Sequence, residues 1–144
     1  MSVIKSILST KGDEVVTIEP TATLEVAVNT LMQRRIGAIV VLGADQRVTG
    51  IISERDIIRA LAQHGADVLK QPVGQVMTRK VATCTATETV GNLMEAMTNG
   101  RFRHVPVVEQ DRLVGIISIG DVVKHRLLEI EQESAALRDY IQTA

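Results

Sequence analysis

Two short stretches of this chain carry residue types that can do chemistry, and they read as copies of each other. The first is Gly50-Ile51-Ile52-Ser53-Glu54-Arg55-Asp56 and the second is Gly115-Ile116-Ile117-Ser118-Ile119-Gly120-Asp121. Each has a glycine, two β-branched apolar residues, a serine, two variable residues and an aspartate. Apolar residues at helical spacing follow, Ile57, Ile58 and Leu61 in one copy and Val122, Val123 and Leu127 in the other. A strand therefore ends near each serine and a helix begins, where free backbone N–H groups gather and an anion can be held. A carboxylate at that place can accept from a ribose diol while a serine hydroxyl and helix N–H groups face phosphate, the division of labour of dinucleotide-binding folds. Ser-x-x-Asp ahead of an apolar helix is equally the pattern of a capping box. The two uses are compatible, and the pattern alone does not choose between them.

The elements that must position these residues recur in the same order. Val3, Ile4, Ile7 and Leu8 predict a short amphipathic helix stopped by Gly12. Val15 to Ile18 reads as a short strand, and Thr23 as the cap of a helix with Leu24, Ala27, Val28, Leu31 and Met32 on one face, ended by Gly37. Ala38 to Leu42 and Val48 to Ile52 form a hairpin, and a helix runs from Asp56 to His64 before Gly65. Pro72 then starts a second short helix with Val73, Val76 and Met77. Val81 to Cys84 reads as a strand, Thr89 caps a helix with Val90, Leu93, Met94 and Met97 inward, and Val105–Val108 pairs with Leu113–Ile117. Thr17 recurs as Thr83 and Thr23 as Thr89, sixty-six residues on, while Gly50 recurs as Gly115 after sixty-five. A repeat that survives an indel in a hairpin loop is a duplication. Each β-α-β-β-α half is too small to bury its own sheet, so the two should pack about a pseudo-twofold axis.

Composition narrows the chemistry. The 144 residues are 45% apolar but only 1% aromatic, with net charge −1, so the stacking platforms and basic grooves of single-stranded nucleic-acid sites are not predicted. Cys84 is the single cysteine, which excludes an intramolecular disulfide and any CxxC metal or redox motif. No apolar run reaches the length of a membrane span, and the first residues are too short an apolar run for a secretory leader. The expectation is a cytoplasmic protein with no membrane partner. His64 and His125 have no metal-ligand spacing and are expected at the surface near helix ends. The methionines at core-facing spacings are expected to pack inward. Pro106 removes a ladder donor and places its strand at an edge or gap.

With these words in hand, the chain resembles a tandem pair of cystathionine-β-synthase (CBS) domains, a Bateman module. The matching words are Ile36-Gly37-Ala38-Ile39-Val40-Val41, the two Gly-Ile-Ile-Ser stretches, and Arg101-Phe102-Arg103-His104-Val105-Pro106-Val107-Val108. The resemblance implies an α+β fold of two β-α-β-β-α repeats, 1–71 and 72–144 each with its leading helix, forming one intertwined module with a short N-terminal and a longer C-terminal helix. It implies an adenosine-containing ligand between the repeats (AMP, ADP or ATP, with NAD(H) and S-adenosylmethionine in the same set), no catalytic cofactor and no metal. It further implies that Asp56 and Asp121 hold ribose and that Ser53 and Ser118 lie near ribose or phosphate. Thr17, Ile18, Thr83, Cys84, Gly37, Ala38, Arg103 and His104 would border base or phosphates, and Ile39, Val105 and Pro106 would line the adenine slot.

Elementary electrostatics adds that Arg103 and His104 can offer cations to phosphate, whereas the corresponding Gly37 and Ala38 cannot; Arg55, Arg34, Arg35 or Lys80 would have to supply charge in the first repeat. Val123, Leu127, Ile130, Ser134, Leu137 and Ile141 fall at heptad-like spacing. That seam suits either a helix lying on the chain's own core or the contact of a homodimer. The reading is a non-catalytic, energy-sensing module that signals to an unidentified regulated protein. A dimerisation module with unused pockets and a small nucleotide-acting enzyme are the alternatives. Against the enzyme stands the lack of a Walker loop, a GxGxxG or a Ser-His-Asp grouping.

Overall fold

Thr23 and Thr89 each accept a hydrogen bond from a backbone amide three residues on, Val26 and Asn92, and so start equivalent helices, α2 (Leu24–Arg34) and α5 (Val90–Gly100). This is a computed structural model, and it describes residues 2–12 and 14–143. Both helices end on an arginine in the left-handed region, Arg35 at φ 55° and Arg101 at φ 57°, and not on a glycine as expected at Gly37. Gly37 is instead reserved for the start of the next strand, where a neighbour approaches closely.

In the first half, β1 (Thr17–Ile18) lies parallel to β2 (Ala38–Leu42), which pairs antiparallel with β3 (Val48–Ser53). In the second, β4 (His104–Glu109) and β5 (Arg112–Ser118) pair antiparallel. The strand expected over 81–84 shrinks to a single parallel bridge between Cys84 and Val107. Proline accounts for the loss. In the first half the Val40 N–H donates to the Val16 carbonyl at 3.3 Å. The residue at Val40's place in the second half is Pro106, which has no N–H to give. Only the Cys84 bonds remain, its N–H donating to the Pro106 carbonyl at 3.0 Å and its carbonyl accepting from Val108 at 2.8 Å.

Helices α3 (Glu54–His64) and α6 (Ile119–Thr143) leave the ends of β3 and β5, each starting earlier than the aspartate where the sequence pattern placed it. The short helices α1 (Ile4–Lys11) and α4 (Val73–Val76) are exchanged. Ile4 and Ile7 of α1 are buried with Leu93, Met97, Val105 and Ile117 of the second half, and the Ile4 and Lys5 amides donate to the Glu88 and Ala86 carbonyls. Val73 and Met77, in turn, are buried with Leu24, Leu31, Ile39 and Ile52 of the first half, and the Val73 amide donates to the Ala22 carbonyl at 2.7 Å. Each half thus completes its aliphatic core with the leading helix that chain order gives to the other. Two β-α-β-β-α repeats about a pseudo-twofold axis result, tied together by covalent continuity and by burial of apolar surface at both exchanged helices.

Several sequence expectations change in three dimensions. Met77 and Met97 are buried, but Met32 is 72% and Met94 37% exposed, because each sits on the side of its helix turned from the sheet. The only buried residue of α6 is Val122; Val123, Leu127, Ile130, Leu137 and Ile141 are exposed, so the heptad-like seam does not lie on the chain's own core. His64 is exposed on the last turn of α3, as expected. His125 is not at a helix end; it is half-buried within α6, its Nε2 3.5 Å from Glu129 Oε1. Among the described residues no helix is long and apolar enough to cross a membrane.

Candidate functional site

The first Ser-x-x-Asp is a complete capping box. Ser53, in extended conformation at the end of β3, accepts from the Asp56 amide, and Asp56 Oδ2 accepts from both the Ser53 amide and the Ser53 hydroxyl at 2.9 Å. The other carboxylate oxygen, Oδ1, accepts from the Thr78 hydroxyl at 2.9 Å. Thr78 is held there because it exchanges two backbone hydrogen bonds with Ile51, at 2.9 and 3.0 Å. This close approach requires Gly50: a Cβ there would lie 2.6 Å from Met77 Sδ and 2.8 Å from the Thr78 carbonyl oxygen. Asp56 is 6% exposed, the one buried charged residue among those described. Both of its oxygens are occupied.

The second copy keeps the box and changes what completes it. Asp121 Oδ2 accepts from the Ser118 amide at 2.8 Å, and the Asp121 amide donates to Ser118 Oγ at 3.1 Å. Where Thr78 stands in the first half, the Lys11 ammonium stands in the second. Lys11 Nζ donates to Asp121 Oδ2 at 2.6 Å and to the carbonyl of Ile116, the counterpart of Ile51, at 2.7 Å. One cation therefore replaces both a backbone N–H and a hydroxyl. Burial pushes the Asp121 carboxyl up, but the hydrogen bonds from Lys11 and Ser118 and the Lys11 charge outweigh it and hold the group below its usual range.

Between these two acids the repeats meet. Ala38 faces Ser53 in register, and His104 faces Ser118, so the starts of β2 and β4 lie beside the two serines. The Glu54 amide donates to the Gly37 carbonyl and the Ile119 amide to the Arg103 carbonyl. A Cβ on Gly37 would lie 3.3 Å from the His104 ring and 3.8 Å from Glu54 Oε1, so glycine is what lets the second-half imidazole cross to the first half. Burial, and then the Lys11 charge, push the His104 pKa below its ordinary 6.5, against the opposing pull of Asp121 and Glu54. The shift favours the neutral imidazole in the unliganded chain, against the cationic role expected for it. Arg103 is exposed and lines a cavity of about 610 Å³ with Ile119, Val123, Lys124 and Leu127; neither aspartate lines it. Arg55 is exposed on the first turn of α3, and Arg34 lies 3.7 Å from Glu14.

Other candidate residues are not brought to this meeting point by their side chains. Thr17 lines a separate cavity of about 230 Å³ with Val15, Leu42, Gln46 and Leu113. Ile18 packs against the first core, and Thr83 is exposed in the irregular segment before Cys84. The Cys84 thiol is buried, and burial with the nearby Glu88 and Glu109 charges pushes its pKa up to about 12, which makes it an unreactive core residue. Ile39, Val105 and Pro106 are buried within the sheets. No group of metal-ligating side chains occurs among the described residues. Lys11, Thr78 and Glu54 belong to the site and escaped the sequence reading. Glu54 sits inside the repeated word and was within reach of it. Lys11 and Thr78 lie outside that word, and only the exchange of leading segments brings them in.

A family model described as CBS domain matches residues 4–63 and 73–128. The chain is 38% identical over 120 residues to the CBS domain-containing protein CBSX3, mitochondrial, of Arabidopsis thaliana, an alignment covering 81% of this chain and 58% of that protein. Its structure is similar to the crystal structure of the CBS-domain containing protein ATU1752 from Agrobacterium tumefaciens, with a TM-score of 0.84 and 50% identity over 87% of this chain and 99% of that one. A further likeness, TM-score 0.78 and 26% identity over 91% of this chain and 98% of the other, is to the CBS domain pair of protein MJ0100 in complex with 5′-methylthioadenosine and S-adenosyl-L-methionine.

Proposed function

We propose that this chain, which belongs to the CBS domain family, is a non-catalytic regulatory module that binds an adenosine-containing ligand beside its paired serine-aspartate junctions and passes the occupancy to a partner protein. The observation that carries this reading is the convergence of the duplicated junctions with the starts of β2 and β4, where His104 of one repeat lies against Gly37 and Glu54 of the other. A ligand there would touch both repeats at once, so a difference in its affinity for two arrangements of the repeats would shift them. The adenosine ligands in the MJ0100 structure support the ligand class. AMP, ADP and ATP head the set, with NAD(H) and S-adenosylmethionine after them. The aspartates would take the ribose, and Arg103 the phosphates through its fork of donors.

The same reading makes the working unit a homodimer in the cytoplasm. Met32 and Ile58 on α2 and α3 and Val123 and Leu127 on α6 leave apolar surface open to a second copy. A thermal-shift panel of AMP, ADP, ATP, NAD, NADH and S-adenosylmethionine tests the binding. A ligand at a hundredfold excess over Kd should stabilise the fold by about 2.7 kcal/mol. No shift with any of them would favour a dimerisation module without working pockets, and product formation in the same tubes would point to an enzyme.

A further inference from the structure

Lys11 carries an inference about which ligands the second repeat accepts. It is the last residue of α1, a helix that belongs by chain order to the first half and by packing to the second. Its ammonium is 30% exposed and is held by two acceptors, Asp121 Oδ2 and the Ile116 carbonyl. The equivalent group in the first half, the Thr78 hydroxyl, carries no charge.

We propose, resting on the reading of Asp121 as a ribose-binding acid, that Lys11 is the specificity-determining residue of the second-repeat site and selects phosphate-bearing adenosine ligands over neutral or sulfonium-bearing ones. A ribose diol that spans both carboxylate oxygens of Asp121 finds Oδ1 open but must displace Lys11 from Oδ2, which already accepts from Lys11 and the Ser118 amide. An ammonium at a part-buried position then needs a new counter-charge, and leaving it without one opposes binding. A ligand phosphate supplies that charge and accepts the released N–H groups. Adenosine supplies none, and S-adenosylmethionine brings a second cation into the same space. In the first repeat a ribose would displace the Thr78 hydroxyl, which turns to water, and loosen the Arg59 guanidinium 3.9 Å from Asp56 Oδ1, which is already largely in solvent, so that site should discriminate less by ligand charge.

Isothermal titration of the full chain with AMP, adenosine and S-adenosylmethionine tests this in wild type, Lys11→Met and Lys11→Arg, with Lys11→Gln as a second neutral variant should the methionine disturb folding. The binding step abolished by Asp121→Asn identifies the second-repeat site. At that step the neutral variants should reduce the preference for AMP over adenosine by about tenfold, by weakening AMP and tightening adenosine, and Lys11→Arg should retain it. An unchanged preference in the neutral variants, or an equal loss for all three ligands, overturns the role of Lys11 while the adenosine site stands. Absence of any binding step in wild type, or titrations in which Asp121→Asn abolishes no step, sinks the ribose reading itself and this inference with it.

Discussion

Asp56 and Asp121 occupy equivalent junctions, and the chain treats them differently. Asp56 is sealed by neutral hydrogen-bond donors, the Ser53 amide and hydroxyl and the Thr78 hydroxyl, with only the exposed Arg59 guanidinium 3.9 Å from its Oδ1 as a charged neighbour. Asp121 is less deeply placed and is latched by the Lys11 ammonium. The duplication therefore preserved the capping box but not its completion, because the completing group comes from the exchanged leading segment. That segment differs in length between the halves. Helix α4 is one turn, so the chain is already extended at Thr78 and its backbone pairs with Ile51. Helix α1 is eight residues, so the chain is still helical at the corresponding point, and a long side chain must span the gap to Ile116 and Asp121.

The largest test of this contrast is truncation of the two acids. Asp56→Ala removes a buried acceptor and strands the Ser53 amide and the Thr78 hydroxyl, which should cost about 3 kcal/mol of folding stability. Asp121→Ala leaves the part-buried Lys11 ammonium without its counter-charge, but solvent reaches both groups of this pair, and the loss should be about 1 kcal/mol. Urea denaturation of both variants measures the difference. Equal losses would break the distinction between a sealed and a latched junction.

What was legible in the sequence lies within the repeated unit, where chemistry is local. Thr23 and Thr89 cap the helices assigned to them, the hairpins lie where continuous apolar runs separated by turn residues placed them, and Ser53 and Ser118 cap as their spacing predicts. What was not legible depends on which half a segment joins. Ile4 and Ile7 are as good a match to one aliphatic core as to the other, so the exchange of α1 and α4 leaves no local signature. Lys11, a lone cation on the last turn of a helix, reads as an ordinary complement to the helix dipole until packing brings it to an acid 110 residues away. Met32 and Met94 share their spacing with buried neighbours, and period alone cannot say how wide the covered stripe is.

Acidification separates the halves on a smaller scale. The folded His104 pKa lies below its ordinary 6.5, so between the two values the unfolded chain binds the additional proton. The stability that His104 contributes as a neutral side chain is complete above pH 6.5 and falls as the pH drops below it. Asp121, held below its ordinary 3.8, contributes stability that is complete above 3.8 and is lost as pH falls through the lower folded value. The first half has Ala38 at the position of His104 and nothing to titrate there. Urea midpoints measured from pH 8 to pH 5 should therefore decline in wild type below about 6.5 and stay flatter in His104→Gln. A wild-type slope that persists in the variant would move the pH response to another group.

The smallest effect concerns the sheets themselves. If Pro106 is what reduces the second half's first strand to a bridge, Pro106→Val should restore the donor that Val40 supplies in the first half, with the Ala82 carbonyl at the place of Val16 as its acceptor. The net stability change should stay within about 1 kcal/mol. A new backbone hydrogen bond contributes about 1 kcal/mol, and losing the proline returns about 0.4–1 kcal/mol of conformational freedom to the unfolded chain, so the two nearly cancel. Stability is thus the wrong observable, and hydrogen exchange is the right one. The new amide at 106 should exchange slowly, like that of Val40, because it is buried and paired. Rapid exchange there would mean that the segment before Cys84 is held away from β4 by something other than a missing N–H, and the sheets would then differ by packing and not by one proline.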